Sequence, residues 1–372
     1  MKKFSILVAL SVLFVSCAKK VEDAPRTLKS LFPENILVGV AINQWHVQKG
    51  LALQCDSDIA APQVEVDAIP VHFNAVTAEN CMKSEVLNPA KGVFDFTLAD
   101  QFVEYAAKND MAVFGHSPIW HSQQARWFCF EDDGTTLVSA DTLKQRIHDH
   151  IFAVMTRYKG KIKGYDVVNE ALEDDGSWRN SLMNMIMPDG EWVDWSFQCA
   201  QEADPDAELY YNDYSMFKEG KRQAVCDLVR RLQSKGIRID AVGLQCHYGM
   251  DFPEVEEFTA SVDSFINVGM RVQFTEFDMS ILPNPYQGAD VETRFEYAPE
   301  KDPFVDGVPD DKMEEWKARM RQFLDVIIAR ADKTNRITFW GVSDSTSWKN
   351  DFPIQGRKDY PLPIDRQGNL KF

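Results

Sequence analysis

Eight short apolar runs punctuate the chain, at 36–42, 72–77, 111–115, 163–168, 208–211, 241–246, 271–275 and 337–341. Most show little alternation of polar and apolar positions. That is the pattern of parallel strands buried on both faces. Amphipathic stretches lie between them. Over 97–109, Leu98, Phe102, Tyr105 and Ala106 share one helical face. A second helix is predicted over 143–158, after the N-cap candidates Asp141 and Thr142. Others are predicted over 219–234, 253–268 and 310–332, the last with Met313, Trp316, Met320, Phe323, Leu324 and Ile327 at helical spacing. Eight strands alternating with helices predict a single (β/α)8 TIM barrel, class α/β. An open doubly wound sheet is the alternative, but no GxGxxG follows the first run to support it.

Two regions break the pattern. Residues 43–70 should carry the first helix, yet QKG, QCDSD and AAPQ read as irregular. Residues 282–309 contain five prolines and no periodicity. They are predicted to form a long loop after the seventh strand, and loops of that length are often functional or mobile.

The N-terminus, MKKFSILVALSVLFVSCAKK, places two lysines before an apolar run that is too short to span a bilayer. It has the layout of a signal peptide. The LFVSC that ends it resembles a bacterial lipobox, with cleavage before Cys17 and lipid added to that residue; an ordinary secretion signal is the other reading. The expected organisation is a signal peptide at 1–16, a tether at 17–33 and one catalytic barrel at 34–372. Ala18 rather than aspartate after Cys17 points to an outer-membrane lipoprotein, on the periplasmic face or the cell surface. A monomer is expected.

The net charge of −17 argues against a nucleic-acid partner, because binding phosphates needs clustered Lys and Arg. A neutral or cationic ligand fits better. Cys55, Cys81, Cys129, Cys199, Cys226 and Cys246 show no CxxC spacing, so a zinc or redox site has no support. They are expected to be buried thiols, with one disulfide open. Nine tryptophans are many for core filling alone and suit a groove that stacks flat ligands.

In a barrel of this kind, function gathers at the C-terminal ends of the strands. The second run is followed by Glu79, Asn80 and Lys83, and the third by His116, Trp120, His121 and Gln123. The fourth ends in Asn169 and Glu170, and the fifth in Tyr211, Asn212 and Asp213. Gln245 and His247 follow the sixth, Glu276 and Asp278 the seventh, and Trp340, Asp344 and Trp348 the eighth. There is no HExxH, no phosphate loop and no Ser-His-Asp order. Two carboxylates among amides and indoles are the equipment of a glycoside hydrolase. One carboxyl must be protonated to release the leaving oxygen, and the other ionised to meet the developing positive charge. Charges held close together discourage each other's ionisation, which lets one site keep a single proton.

The ordered set TAENCMK, GHSPIWHSQ, DVVNEA, YYNDY, GLQCH, FTEFD and WGVSD…SW resembles glycoside hydrolase family 10, the endo-β-1,4-xylanase family. The resemblance runs from about Val38 to Leu370. It implies a barrel that cleaves β-1,4-xylan or xylo-oligosaccharides with retention and needs no metal or organic cofactor. Glu170 would be the acid/base and Glu276 the nucleophile. Asn169 would bind the sugar's 2-hydroxyl, while His247 and Asp278 orient Glu276. Glu79, Asn80, Lys83, His116, Trp120 and Gln123 would line the glycone side. Gln245 would belong to the same floor, and Trp340 and Trp348 would wall the cleavage subsite. Another β-glycan, cellulose or mixed-linkage glucan, is the alternative substrate. A non-catalytic glycan-binding lipoprotein is the alternative class, disfavoured because both carboxylates are present.

Family members usually carry a helix after a segment like IDRQGNLK, where this sequence stops. A flank of the first and eighth strands is therefore expected to need another cover. Outside the site, His46, His72 and His121 read as structural or exposed, and His148 and His150 as solvated. Trp178, Trp192, Trp195 and Trp316 read as packing residues, with Trp45 and Trp127 open. The acidic 173–175 stretch reads as a solvated loop rather than a cation site.

Overall fold

All eight apolar runs are strands. The computed structural model describes residues 26–54 and 62–372; the signal peptide, Cys17 and Cys55 lie outside the described residues. The strands are β1 (Leu37–Ile42), β2 (Ala75–Ala78), β3 (Ala112–Trp120), β4 (Gly164–Asn169), β5 (Glu208–Asp213), β6 (Ala241–Leu244), β7 (His247–Gly249), β8 (Arg271–Ser280) and β9 (Arg336–Phe339). Every pairing between them is parallel. β1 through β6 pair in sequence, β6 pairs with β8, β8 with β9, and β9 returns to β1. That circuit closes an eight-stranded barrel. The ninth strand, β7, is a short addition beside the outer end of β8, pairing His247 with Asp278.

The two faces of the strands do different work. Val38, Val40, Val113, Val167, Leu209, Val242, Val272 and Ile337 join a core cluster between barrel and helices. The interior is more polar. Ala75, Phe114, Tyr210 and Ala241 form a separate small cluster. The buried Arg336 guanidinium lies over Phe114, 4.2 Å from its ring centre, and 3.5 Å from Asp166. Polar interior groups thus lead upward to the rim.

Helices follow seven of the eight barrel strands. Region 43–70 is not irregular throughout: it holds α1 (Gln44–Gly50) and α2 (Gln63–His72). Asn43 and His46 close a reciprocal cap on α1, which the polar composition concealed. α3 (Ser84–Leu87) and α4 (Thr97–Lys108) follow β2. α5 (Ala140–Arg157) begins earlier than expected, because Ser139 supplies the cap by accepting from Thr142 N–H. Between β4 and β5, where no helix is predicted, lie α6 (Leu182–Ile186) and α7 (Glu191–Ala203). α8 (Glu219–Ser234), α9 (Val255–Asn267) and α10 (Asp310–Ile328) match their predicted spans closely.

After β9 the described chain has only a three-residue 3-10 turn, Trp348–Asn350. The flank is covered all the same. Leu28, Phe32 and Ile36 ahead of β1, and Leu362 and Ile364 near the other end, are all buried in the main core. Phe372 stacks on Trp316 of α10 at 5.9 Å, and Lys371 pairs with the buried Asp344 at 2.7 Å.

Trp192 and Trp316 are buried packing residues, and Trp178 and Trp195 lie against the same core. Among the described residues Cys81, Cys129, Cys199, Cys226 and Cys246 are free and buried. His150 departs from expectation. It is fully buried between Phe94 and Phe128, and burial lowers its pKa to about 4. The 173–175 stretch is tied down, with Asp174 held by Lys218 and Lys221.

Candidate active site

Glu170 is the first residue past β4, and its backbone takes the left-handed conformation, φ +57°. Gln123, Ser215 and Cys246 at neighbouring rim positions share that conformation. Non-glycine residues there carry strain, and such strain concentrates where side chains must be aimed. The Glu170 carboxyl is almost completely buried and fully engaged. Trp120 Nε1 donates to Oε2 at 2.9 Å, and Gln245 Nε2 donates to Oε1 at 2.9 Å. Asn169 Nδ2 reaches Oε1 at 3.2 Å. Burial raises the Glu170 pKa above the usual carboxylate value. The hydrogen bonds and Arg179 oppose that rise, and the charge of Glu276 adds to it.

Glu276 lies within β8, supported on both sides. Asn212 Nδ2 donates to its Oε1 at 2.8 Å, and His247 Nε2 lies 3.3 Å from its Oε2. Asn212 Nδ2 also reaches Asn169 Oδ1 at 3.0 Å, and Thr275 Oγ1 donates to Asn212 Oδ1 at 2.6 Å. One amide therefore links the two carboxyl sites. Gly243 makes room for it, since a Cβ there would fall 2.5 Å from Asn212 Oδ1.

Behind Glu276, His247 Nδ1 lies 2.9 Å from Asp278 Oδ2, which also accepts from Trp348 Nε1 at 2.7 Å. Burial disfavours the His247 charge, yet Asp278 and the bond to Glu276 raise its pKa overall. Asp278 is held below the usual value despite burial, by His247 and by Lys349 at 3.7 Å. A second histidine–aspartate couple flanks the other side. His116 Nδ1 is 3.1 Å from Asp166 Oδ2 and 4.0 Å from Glu276 Oε1.

At the β2–β3 side of the rim, polar side chains form a continuous patch. Asn43 donates to Glu79, and Asn80 Nδ2 donates to Asn43 Oδ1 at 3.1 Å. Lys83 donates to Asn80 at 3.1 Å and to Gln123 at 2.5 Å, and it sits over the Trp120 ring at 4.7 Å. Burial raises the Glu79 pKa and lowers that of Lys83, and each group's charge opposes the other's shift. Trp340 meets His116 edge-on at 5.2 Å, and Trp348 meets His247 at 4.8 Å.

One pocket is lined by Glu79, Asn80, Lys83, His116, Trp120, Gln123, Asn169, Glu170, Gln245, His247, Glu276, Trp340 and Trp348. The structure thus brings together every lining residue named from the sequence, with Asp278 directly behind them. Tyr211 does not line the pocket; its hydroxyl donates to Asp213 and accepts from Ala171 N–H. Sequence reasoning missed Asn43, Asp166, Arg179, Lys349, Ala289 and Val291. Asn43 was findable, because it follows the first strand as the other residues follow theirs. Ala289 and Val291, which also line the pocket, belong to the long loop and carry no chemical signal. His121 stays outside the pocket, its pKa pushed down to about 4 by burial.

The arrangement offers one buried carboxyl ringed by donors and a second facing it, in a pocket of amides and indoles. It suits acid-assisted displacement at a sugar carbon. Comparison with known proteins agrees. The Glycosyl hydrolase family 10 model matches residues 28–372. The chain is 40% identical to an endo-1,4-beta-xylanase A of Xylanibacter ruminicola, over 97% of this chain and 95% of that protein. It is 32% identical to a beta-1,4-xylanase of Dictyoglomus thermophilum, over 100% and 97% of the two chains. A GH10 endoxylanase structure retrieved from a sugarcane soil metagenome superposes with a TM-score of 0.85 at 36% identity, covering 92% of this chain and 96% of that one. The chain belongs to glycosyl hydrolase family 10.

Proposed function

We propose that the protein is a retaining endo-β-1,4-xylanase, with Glu170 as acid/base and Glu276 as nucleophile. The observation that carries this reading is the pair itself: two carboxyls, one at the end of β4 and one in β8, line one pocket, and the Asn212 amide donates both to Glu276 and to Asn169, which in turn reaches Glu170. Glu276 attacks the anomeric carbon while Glu170 protonates the departing oxygen. Trp120, Gln245 and Asn169 fix the proton donor, so little reorganisation accompanies transfer. The resulting ester removes the charge on Glu276. That charge helps keep Glu170 protonated, so its loss turns Glu170 into a stronger acid. Glu170, already ionised by giving its proton to the departing oxygen, stays ionised and, as a base, takes a proton from the water that hydrolyses the ester, which returns both carboxyls to their starting states.

The patch of Glu79, Asn80, Lys83 and Gln123 binds the hydroxyls of the glycone, and Trp340 and Trp348 cover the sugar at the cleavage position. Asn169 meets the 2-hydroxyl. The protein is also read as a lipoprotein anchored through Cys17, on the strength of the LFVSC segment behind an apolar run.

Reducing-sugar release from xylan and from carboxymethylcellulose tests the substrate, with Glu170→Ala and Glu276→Ala as controls. Proton NMR of the first-formed product tests retention. Equal activity of all three proteins, or a first product of inverted configuration, overturns the assignment. Mass spectrometry of the mature N-terminus, with and without Cys17→Ala, tests the anchor.

A further inference from the structure

Glu170 holds a left-handed backbone conformation that strains a non-glycine residue, so its surroundings must impose it. Two main-chain contacts do so. Its N–H donates to Asn212 O at 2.9 Å, and its carbonyl accepts from Arg179 Nε at 2.9 Å. A tight hairpin returns Arg179 beneath Glu170: Leu172 bridges Trp178, and Arg179 N–H donates to Ala171 O at 2.9 Å. The guanidinium is buried, and its Nη2 donates to the Tyr214 hydroxyl at 2.6 Å. Its remaining edge, Nη1, faces Glu173 of the same hairpin at 3.8 Å and Asp290 of the 282–309 loop at 3.6 Å. The residues on either side of Asp290 are Ala289 and Val291, the two aliphatic residues in the pocket wall. The same loop accepts the Ser215 hydroxyl at Gln287 O, 3.5 Å away. It therefore runs from β8 toward the β4 and β5 ends, across the rim from the Glu79 and Lys83 patch.

We propose that Arg179 is a positioning residue for Glu170 and that Asp290 latches the long loop onto it. One contact then fixes the backbone of the proton donor and seats Ala289 and Val291 as the wall on the leaving-group side. The inference rests on the acid/base reading of Glu170 and adds to it a link between the loop and proton donation.

The charged and titratable groups facing Glu170 are Arg179 on its own loop, Glu276 from β8, Asp213 and Tyr214 from the β5 end, and Lys83 after β2. Those around the latch are Glu173 on the hairpin, Glu292 on the long loop and His121 after β3. Removing Asp290 leaves more of the Arg179 charge to favour ionised Glu170; removing Arg179 does the reverse.

The test uses Asp290→Ala, Asp290→Asn, Arg179→Lys and Arg179→Met in the full chain, with two aryl β-xylobiosides. The phenyl glycoside needs protonation to leave, and the 2,4-dinitrophenyl glycoside does not. For Asp290→Ala, kcat/KM on the phenyl substrate is expected to fall about ten-fold, and on the dinitrophenyl substrate much less, since general acid assistance contributes about 10²–10⁴-fold in all. The alkaline limb of the pH profile moves to lower pH in Asp290→Ala and to higher pH in Arg179→Met. Arg179→Lys restores the limb but not the phenyl-substrate rate, because an ammonium replaces the charge without the fork. Equal losses on both substrates, or limbs moving the same way, overturn the proposal. Trypsin cleavage at Arg294 and Lys301 reads the latch without any catalysis. It should quicken in both Asp290 variants, and unchanged cleavage overturns the latch. A wild-type enzyme that cleaves neither glycoside would instead refute the proposed function, with the cleavage result still deciding the latch.

Discussion

The couple behind Glu276 offers a quantitative test, through Asp278→Asn. The carboxylate is fully buried and accepts from His247 Nδ1 at 2.9 Å and Trp348 Nε1 at 2.7 Å, with Lys349 at 3.7 Å. An amide of the same shape can still accept, but it carries no charge. Two charge-assisted bonds become neutral ones, at about 1 kcal/mol each. Lys349, itself buried, loses a counter-charge, which brings the loss to about 3 kcal/mol, the lower end for breaking a buried pair. For a chain of this size that is a fall in Tm of about 4 °C. The catalytic effect follows from proton counting. A neutral imidazole has one N–H. If the substituted amide keeps it on Nδ1, Nε2 faces Glu276 Oε2 with a lone pair instead of a donor. Losing that support costs about 1.5–3 kcal/mol, or about ten- to a hundred-fold in kcat/KM.

The pH dependence carries its own sign. The folded pKa of His247 is raised, so its contribution to stability is complete below the unfolded value of about 6.5 and fades as pH rises through the folded value. The folded pKa of Asp278 is lowered, so its contribution is complete above about 3.9 and fades as pH falls through the folded value. The gap in Tm between wild type and variant should therefore be widest from about pH 4 to 6.5 and narrow above that window. Calorimetry from pH 3 to 9 and steady-state kinetics on an aryl xylobioside measure both effects. A gap that widens above pH 7, or a kcat/KM within two-fold of wild type, would refute the reasoning.

Glu170→Gln should raise Tm at pH 8 and lose that advantage toward pH 4, because a raised carboxyl pKa makes ionisation unfavourable to the fold. Its activity on poor leaving groups should fall about 10²–10⁴-fold. Asn212→Ala removes the amide shared by Glu276, Asn169 and Thr275; about 2–3 kcal/mol of stability and at least about ten-fold in activity should go with it, read by denaturant titration and kinetics. Glu65→Ala frees Ser343, Thr346 and His46, at 2.5, 2.9 and 3.0 Å from its carboxylate. It should lower stability by about 3 kcal/mol and raise KM more than it lowers kcat, since the freed loop leads to Trp348 rather than to either carboxyl.

What could be read from the sequence follows from how a barrel assembles its site. Closure brings eight strand ends into one ring, so reading the residue after each apolar run reads the ring. That is why Glu170 and Glu276, far apart in the chain, were placed together by pattern alone. The supporting groups obey no such rule. Asp166 sits inside a strand as a single charge between apolar neighbours, Arg336 opens a strand after the polar Thr334 and Asn335, and only the closed barrel shows that the two share one interior. His150 lies on a helix whose exposed neighbours disguise it, because its burial depends on Phe94 and Phe128 from two other segments. α7 went unpredicted because Glu191, Asp194, Gln198, Gln201 and Glu202 dilute an apolar stripe that packs against α5. The hardest case is Arg179 with Asp290. Each lies in a loop, neither follows a strand, and their meeting depends on how a proline-rich segment crosses the rim. Local pattern specifies what the ring presents to a ligand. Tertiary contact decides how firmly each group is aimed, and proton transfer to a departing sugar depends on the aim.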